Sequence, residues 1–209
     1  MSWYAQHTIR GYSAPEVVSA LQKSIRRSDQ ERAAYWAVEL DRSGFGAHAW
    51  NRLLIIVSED IGLSDPHMPA TIRALYETWK EAKARRSAHH PERLMLVHAA
   101  LLLARAKKSR MVDHATCGHY GINDRLYEIP DEALDMHTAR GRGMGRGLEH
   151  WYAEAAVITN EADLGPDPFF ELNCAADNVT ERPLERAPRT GRGAPSPDEP
   201  EQEEIVILS

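Results

Sequence analysis

Two stretches of this chain are apolar on nearly every side at helical length. One is the run Leu53-Leu54-Ile55-Ile56-Val57 within the segment Ala47 to Ile61, and the other is Leu94 to Leu103. The first run alone would also suit a buried strand, but the length of its segment and the polar periodicity at its flanks favour a helix. A helix that is apolar all round has no face to offer water and belongs at the centre of a domain. Two such helices are expected to pack on each other, with more amphipathic elements around them. No stretch of strand alternation of any length and no internal repeat appears before the C-terminal tail, so the fold class is all-α.

The surrounding helices are legible from their ends and faces. Ser13-Ala14-Pro15-Glu16 has the form of a capping box with proline in the first turn, so a helix is expected to start there. Val17, Val18, Leu21 and Ile25 recur on one face of it, with Lys23, Arg26 and Arg27 on another. Ser28-Asp29-Gln30-Glu31 reads as a second capping box, opening a helix that runs to about Arg42 and stops at Gly44. A fourth helix is expected over Pro69 to Arg86, with Ile72, Leu75, Tyr76 and Trp79 on one side, and Pro91 opens the fifth. A sixth follows Ser109 and ends at Gly118. Residues Gly121 to Pro130 read as loop, Asp135 to Gly147 as a basic, glycine-rich loop, and Leu148 to about Asn160 as a last amphipathic helix.

Charge divides the chain more usefully than the net value of −6. Residues 161–209 hold twelve acidic and four basic side chains, which leaves residues 1–160 with twenty-one basic against nineteen acidic. Seven of the twelve prolines fall after Leu164, a composition that cannot build a core and reads as disorder. The expected organisation is an N-terminal arm (1–12), a helical domain (13–120), the basic glycine-rich loop with its helix (121–161) and a disordered acidic, proline-rich tail (162–209). Cys117 and Cys174 are too far apart in sequence to suggest a disulfide framework. No leader pattern opens the chain and no run approaches the roughly eighteen apolar residues of a membrane span, so a cytoplasmic protein with no membrane contact is expected.

Four blocks carry a resemblance to a known family: Lys23-Ser24-Ile25-Arg26 with Ser28-Asp29, then Tyr35-Trp36, then Ser58-Glu59-Asp60-Ile61-Gly62-Leu63, then Asp65-Pro66. Together they resemble the helical C-terminal region of the RarA/MgsA replication-associated recombination ATPases, relatives of the Werner-helicase-interacting ATPase and more distantly of clamp loaders. A weaker echo follows at Ala106-Lys107-Lys108-Ser109, where the family has a Pro-Lys-Ser turn, and the resemblance covers about Ser13 to His114. It implies a compact bundle of six to seven helices like a clamp-loader collar, assembly into a homo-oligomer with a tetramer favoured, and structural roles for Ser28, Asp29, Trp36, Glu59, Asp60, Gly62, Asp65 and Pro66. In the family a nucleotide-binding part precedes this region, but no G-x-x-x-x-G-K-[ST] run occurs in this sequence. With no such cradle for a triphosphate, the chain is expected not to be an ATPase by itself and to need no cofactor, with a separate AAA+ ATPase as a partner.

Candidate sites follow from residue chemistry. Lys23, Arg26 and Arg27 share a helix face and could track a phosphate backbone, or could simply be a solvated face. Arg140, Arg142 and Arg146 alternate with glycines, which lets guanidiniums approach phosphates closely, unless the segment is only a linker. These six residues form the expected weak DNA contact. Glu59 and Asp60 near a helix C-terminus read as a structural ion pair, with Arg52 or Arg73 as partner, rather than as catalytic acid and base. Gln202, Ile205, Ile207 and Leu208 resemble the glutamine-led peptide by which bacterial replication proteins dock on the sliding clamp. His114, Cys117 and His119, with His98 from a neighbouring helix, are ligand types that zinc accepts, although their spacing matches no strong zinc signature. The function expected is thus a non-enzymatic accessory module in DNA replication and recombination, with a metal-dependent enzyme built on the histidines around His114 as the alternative.

Overall fold

The structure, a computed structural model, describes residues 3–121 and 126–176. They fall into two units, one within Met1–Tyr127 and the other within Glu128–Ser209. Among the described residues both units are built from helices and loops, and the only strand-like pairing is an isolated antiparallel bridge between His7 and Ser13. The all-α expectation holds.

The first unit comprises α1 (Ala14–Arg26), α2 (Gln30–Arg42), α3 (Gly46–Ile56), α4 (Met68–Ala84), α5 (Glu92–Arg105) and α6 (Met111–Tyr120). Helix α5 is central, packing against α2 and α4 and touching α1 and α3 as well. Its buried apolar residues are Leu96, Ala99, Ala100, Leu103 and Ala104, small enough between the leucines to let neighbouring helices approach. Helix α3 buries Ala49, Trp50, Leu53 and Ile56. The two apolar helices do touch, but each packs more extensively on α2, and neither is enclosed on every side. Ile55 remains 50% exposed and Leu94 72%. Apolar content therefore overstated the burial of both helices, because side chains on one flank of each meet no neighbouring helix.

Helix ends also differ in detail from the expected capping boxes. Ser13 is the residue before α1, yet its side chain caps nothing; its backbone is instead held in the bridge to His7. At α2 the cap is Asp29, one residue later than Ser28, and its carboxylate accepts from the Arg32 amide at 3.0 Å. Ser28 takes φ +59°, an unusual value for serine, in the turn between α1 and α2. Gly44, at φ +82°, closes α2 as expected. The N-terminal arm is tied down by Trp3, which stacks on His48 at 3.9 Å and meets Phe45 edge-on at 5.5 Å. At the heart of the bundle Trp50 is fully buried against Tyr76 and Trp79.

The second unit contains a 3-10 turn at Asp131–Ala133, then α7 (Ala139–Gly143), α8 (Leu148–His150) continuing into a wider π turn at Trp151–Ala155, and α9 (Phe170–Ala176). The glycine-rich stretch is a folded turn here. Thr138 caps α7 by accepting from the Gly141 amide at 3.0 Å, and a Cβ on Gly141 would lie 1.8 Å from the Asp135 carbonyl oxygen. Only glycine allows that approach. The last helix, expected to reach Asn160, ends at Ala155 because it buries no side chain that would hold a longer one. Helix α9 lies in the segment expected to have no structure, and residues 177–209 fall outside the described residues. Among the described residues no helix is long and apolar enough to cross a membrane.

The partial enclosure of α3 has a measurable consequence. Trp50→Ala should lower the unfolding free energy by about 3–5 kcal/mol, the usual cost of emptying a buried aromatic site. Ile55→Ala, five positions along the same helix, should change it by about 0.5 kcal/mol or less. Urea denaturation followed by circular dichroism reads both, and equal losses would mean that α3 is enclosed after all.

Candidate functional site

Helix α1 places Gln22 and Arg26 four residues apart, on one face of its last turns. Opposite them the end of α3 widens into a π turn over Val57–Ile61, a distortion of the helical ladder that re-aims the side chains it carries. Glu59 and Asp60 sit on that turn. Asp60 is fully buried and accepts from Arg26 Nε at 2.6 Å, Arg26 Nη2 at 3.3 Å and Gln22 Nε2 at 3.3 Å. Glu59 accepts from Arg26 Nη2 and Gln22 Nε2, both at 2.8 Å. The fork of one guanidinium thus engages both carboxylates, which a point-like ammonium could not do. Arg110 approaches the same pair at 3.9 and 4.0 Å while it is bound to Asp113.

Backbone geometry locks the turn in place. Gly62 stands at φ +51°, ψ −128°, a region essentially closed to residues with a Cβ. A Cβ there would also press on Val112 Cγ2 at 3.2 Å and the Ser109 carbonyl at 3.3 Å. The Ser109 amide donates to the Asp60 carbonyl at 2.9 Å, and the Ser64 hydroxyl reaches the Ile61 and Lys107 carbonyls at 2.6 and 2.8 Å. Asp65 accepts from the His67 and Met68 amides, satisfying donors at the start of α4. Lys108 completes the junction, donating to the carbonyls of Leu103, Ala104 and Ala106 at the end of α5 and reaching Ser28 Oγ at 3.4 Å. A cation suits the negative end of a helix dipole. Burial pushes the Lys108 ammonium below its ordinary value, with Asp60 pulling the other way.

Of the residues named for their motif, Ser28 in the α1–α2 turn, Glu59, Asp60 and Gly62 after α3, and the Lys108-Ser109 pair after α5 meet at one junction, whereas Asp29 caps α2 and Asp65 caps the start of α4. Trp36 lies apart on α2, half-buried beside Tyr12 and Tyr35. Asp60, closed in by its partners, is placed as one half of an ion pair. Its cation is Arg26 and not the expected Arg52 or Arg73, since Arg52 donates to Gln22 Oε1 at 3.2 Å and Arg73 pairs with Glu77 at 2.5 Å. Residue spacing did not point to Gln22, Lys108 or Arg110. The available signals were the four-residue step from Gln22 to Arg26 and the Lys-Ser echo at 108–109.

The residues expected to contact phosphate fare differently from one another. Arg26 is turned into the ion pair, so it leaves the face shared by Lys23 and Arg27, both of which are exposed. In the second unit Arg140 is exposed, Arg142 donates to the carbonyls of Met136 and His137, and Arg146 is committed to Asp131 through both carboxylate oxygens, at 2.5 and 2.6 Å. The hydrogen bond from Arg146 holds the Asp131 carboxyl below the usual carboxylate range. Alternation with glycine does not make Arg146 a free cation, because its donors are used within the unit. His98, His114 and Cys117 are exposed, as is His119, and among the described residues no three His, Cys, Asp or Glu side chains converge as a metal ion requires. Gln202, Ile205, Ile207 and Leu208 lie outside the described residues.

If Arg26 neutralises a buried acid, removing it is more harmful than its own exposure suggests. Arg26→Ala should cost about 3–5 kcal/mol, the penalty for stranding a buried charge. Arg26→Lys should recover only part of that loss, because one ammonium cannot bridge Asp60 and Glu59. Lys23→Ala, one turn away on the exposed face, should stay within about 0.5 kcal/mol. Chemical denaturation of the three variants checks the order, and a mild Arg26→Ala phenotype would show the pair to be incidental.

Comparison with known proteins agrees with the motif resemblance. Residues 27–167 match the family described as MgsA AAA+ ATPase C terminal, a stretch that continues well past His114, where the motif resemblance ended. Replication-associated recombination protein A of Bacillus subtilis is 29% identical over 150 residues, covering 70% of this chain and 34% of that protein. The Haemophilus influenzae protein of the same name is 30% identical over 141 residues, covering 66% and 30%. ATPase WRNIP1 of Dictyostelium discoideum is 35% identical over 183 residues, covering 80% and 20%. The matched part is thus about a third or less of each relative's length. A family match through more than half of its residues makes this chain a member of the MgsA AAA+ ATPase C-terminal family.

Proposed function

We propose that the chain is a non-enzymatic accessory module of DNA replication and recombination, which self-associates, touches DNA weakly and completes a separate AAA+ ATPase in trans. Family membership carries this reading: relatives that match it are named as replication-associated recombination proteins and as an ATPase. Docking on a sliding clamp or another replication protein through Gln202, Ile205, Ile207 and Leu208 belongs to the same proposal.

Self-association is supported by what the bundle leaves uncovered. A groove of about 410 Å³ runs between α3 and α6, walled by Leu54, Ile55 and Val112 with Ser58, Glu59 and Thr116 at its polar edge. Ile55 is half exposed there. Apolar surface of this kind, rimmed by polar groups, is what a protein interface covers. The reading based on a metal-dependent enzyme has no comparable support, since its donors do not converge.

Size-exclusion chromatography with light scattering should give a homo-oligomer at tens of micromolar, a tetramer in preference to a dimer. Ile55→Asp should shift it to smaller species while leaving the helical content unchanged, because a charge placed in an apolar interface is costly to desolvate. A single monomeric species for the unaltered chain would contradict the proposal.

A further inference from the structure

Between α1 and α2 lies a second groove, of about 310 Å³, whose walls include Lys23, Ser24, Arg27, Asp29, Arg32 and Trp36. Three cations face one carboxylate. Asp29 is occupied in capping α2 and lies 3.5 Å from the Arg32 guanidinium, which is itself 75% exposed. Lys23 and Arg27 are exposed and meet no acceptor among the described residues, whereas Arg26 is withdrawn into the ion pair with Asp60. Positive charge not used by the fold is thus gathered along one groove.

Beside these cations stands an aromatic cluster. Trp36 meets Tyr35 edge-on at 4.7 Å and Tyr12 at 5.5 Å. The two tyrosines are 38% and 40% exposed, and the Arg10 guanidinium lies over the Tyr35 ring at 5.4 Å. Cations spaced along a groove follow a phosphodiester chain, and exposed rings beside them offer a surface on which unpaired bases stack. Bases in a duplex are already stacked on one another and gain nothing from such rings.

We propose that this groove binds single-stranded nucleic acid, with phosphates against Lys23, Arg27 and Arg32 and a base against the Tyr35–Trp36 rings. This rests on the weak DNA contact of the proposed function and gives that contact a place and a strand preference. The test is fluorescence anisotropy of the full chain with a labelled oligothymidine, a duplex of equal length and an abasic strand of equal length. Oligothymidine should bind more tightly than the duplex. The triple variant Lys23→Ala, Arg27→Ala, Arg32→Ala should bind it at least about tenfold more weakly, with a log–log salt slope reduced by about 2, as three contacts of about 0.7 each require. Tyr35→Ala should weaken oligothymidine about tenfold and leave the abasic strand unaffected, the signature of lost stacking.

An unchanged slope in the triple variant overturns the proposal, as does equal affinity for duplex or an equal effect of Tyr35→Ala on both single strands. The substituted cations are solvent-exposed, and identical thermal melts confirm that the fold survives. Light scattering on the same variants separates the two readings: intact assembly without groove-dependent binding sinks this inference alone, whereas loss of assembly in the unaltered chain sinks the function on which it rests.

Discussion

The bidentate grip of Arg26 on Asp60 and Glu59 is the contact around which the first unit is arranged. A carboxylate with no solvent exposure cannot remain charged in a protein interior unless a cation and hydrogen-bond donors replace the water it has lost. Arg26 and Gln22 supply both from α1, and the π turn at Val57–Ile61 delivers the acid to them. Once Asp60 is held, its carbonyl is in place for the Ser109 amide, which anchors the chain leaving α5. Helices α1, α3, α5 and α6 thereby share one polar junction at the edge of the apolar core. Such an arrangement adds less to stability than to register, since an apolar replacement of similar shape can be equally stable but would not dictate which helix ends must meet.

Much of the helical frame was legible in the sequence because apolar periodicity reports a local property. The buried face of α1, the aromatic side of α4 and the stop at Gly44 all follow from residues within one or two turns of each other. What spacing could not reveal was direction. Lys23, Arg26 and Arg27 lie within one turn, so a helical projection treats them alike. Their fates are decided by an acid more than thirty residues away that only the folded chain brings near. The same limit explains Arg146, which looks free among glycines but is claimed by Asp131 fifteen residues earlier. It also explains Gly141, whose role comes from the Asp135 carbonyl and not from loop flexibility.

Motif resemblance reached further than periodicity here. Of the motif residues it singled out, Ser28, Glu59, Asp60 and Gly62 come together at one junction with Lys108 and Ser109, while Asp29 and Asp65 cap helices nearby in sequence and Trp36 lies apart. Turning Arg26 inward has a second effect, since it separates the structural cation from Lys23 and Arg27 and leaves those two on the solvent side of α1. The interior of the helix pair is thus given over to holding the bundle together, and its outer groove is left free to meet a ligand.

The claim that Arg26 and Asp60 act as one unit is tested most directly by a double-mutant cycle with Arg26→Ala, Asp60→Ala and the pair, read by urea denaturation and by exchange of the Ser109 amide. The account predicts a coupling energy of about 2–3 kcal/mol, at the upper end for contacting residues. It also predicts loss of Ser109 protection in either single variant, because the carbonyl that amide donates to is no longer held. Additive losses with coupling near zero, or a Ser109 amide that stays protected when Asp60 is replaced, would contradict it.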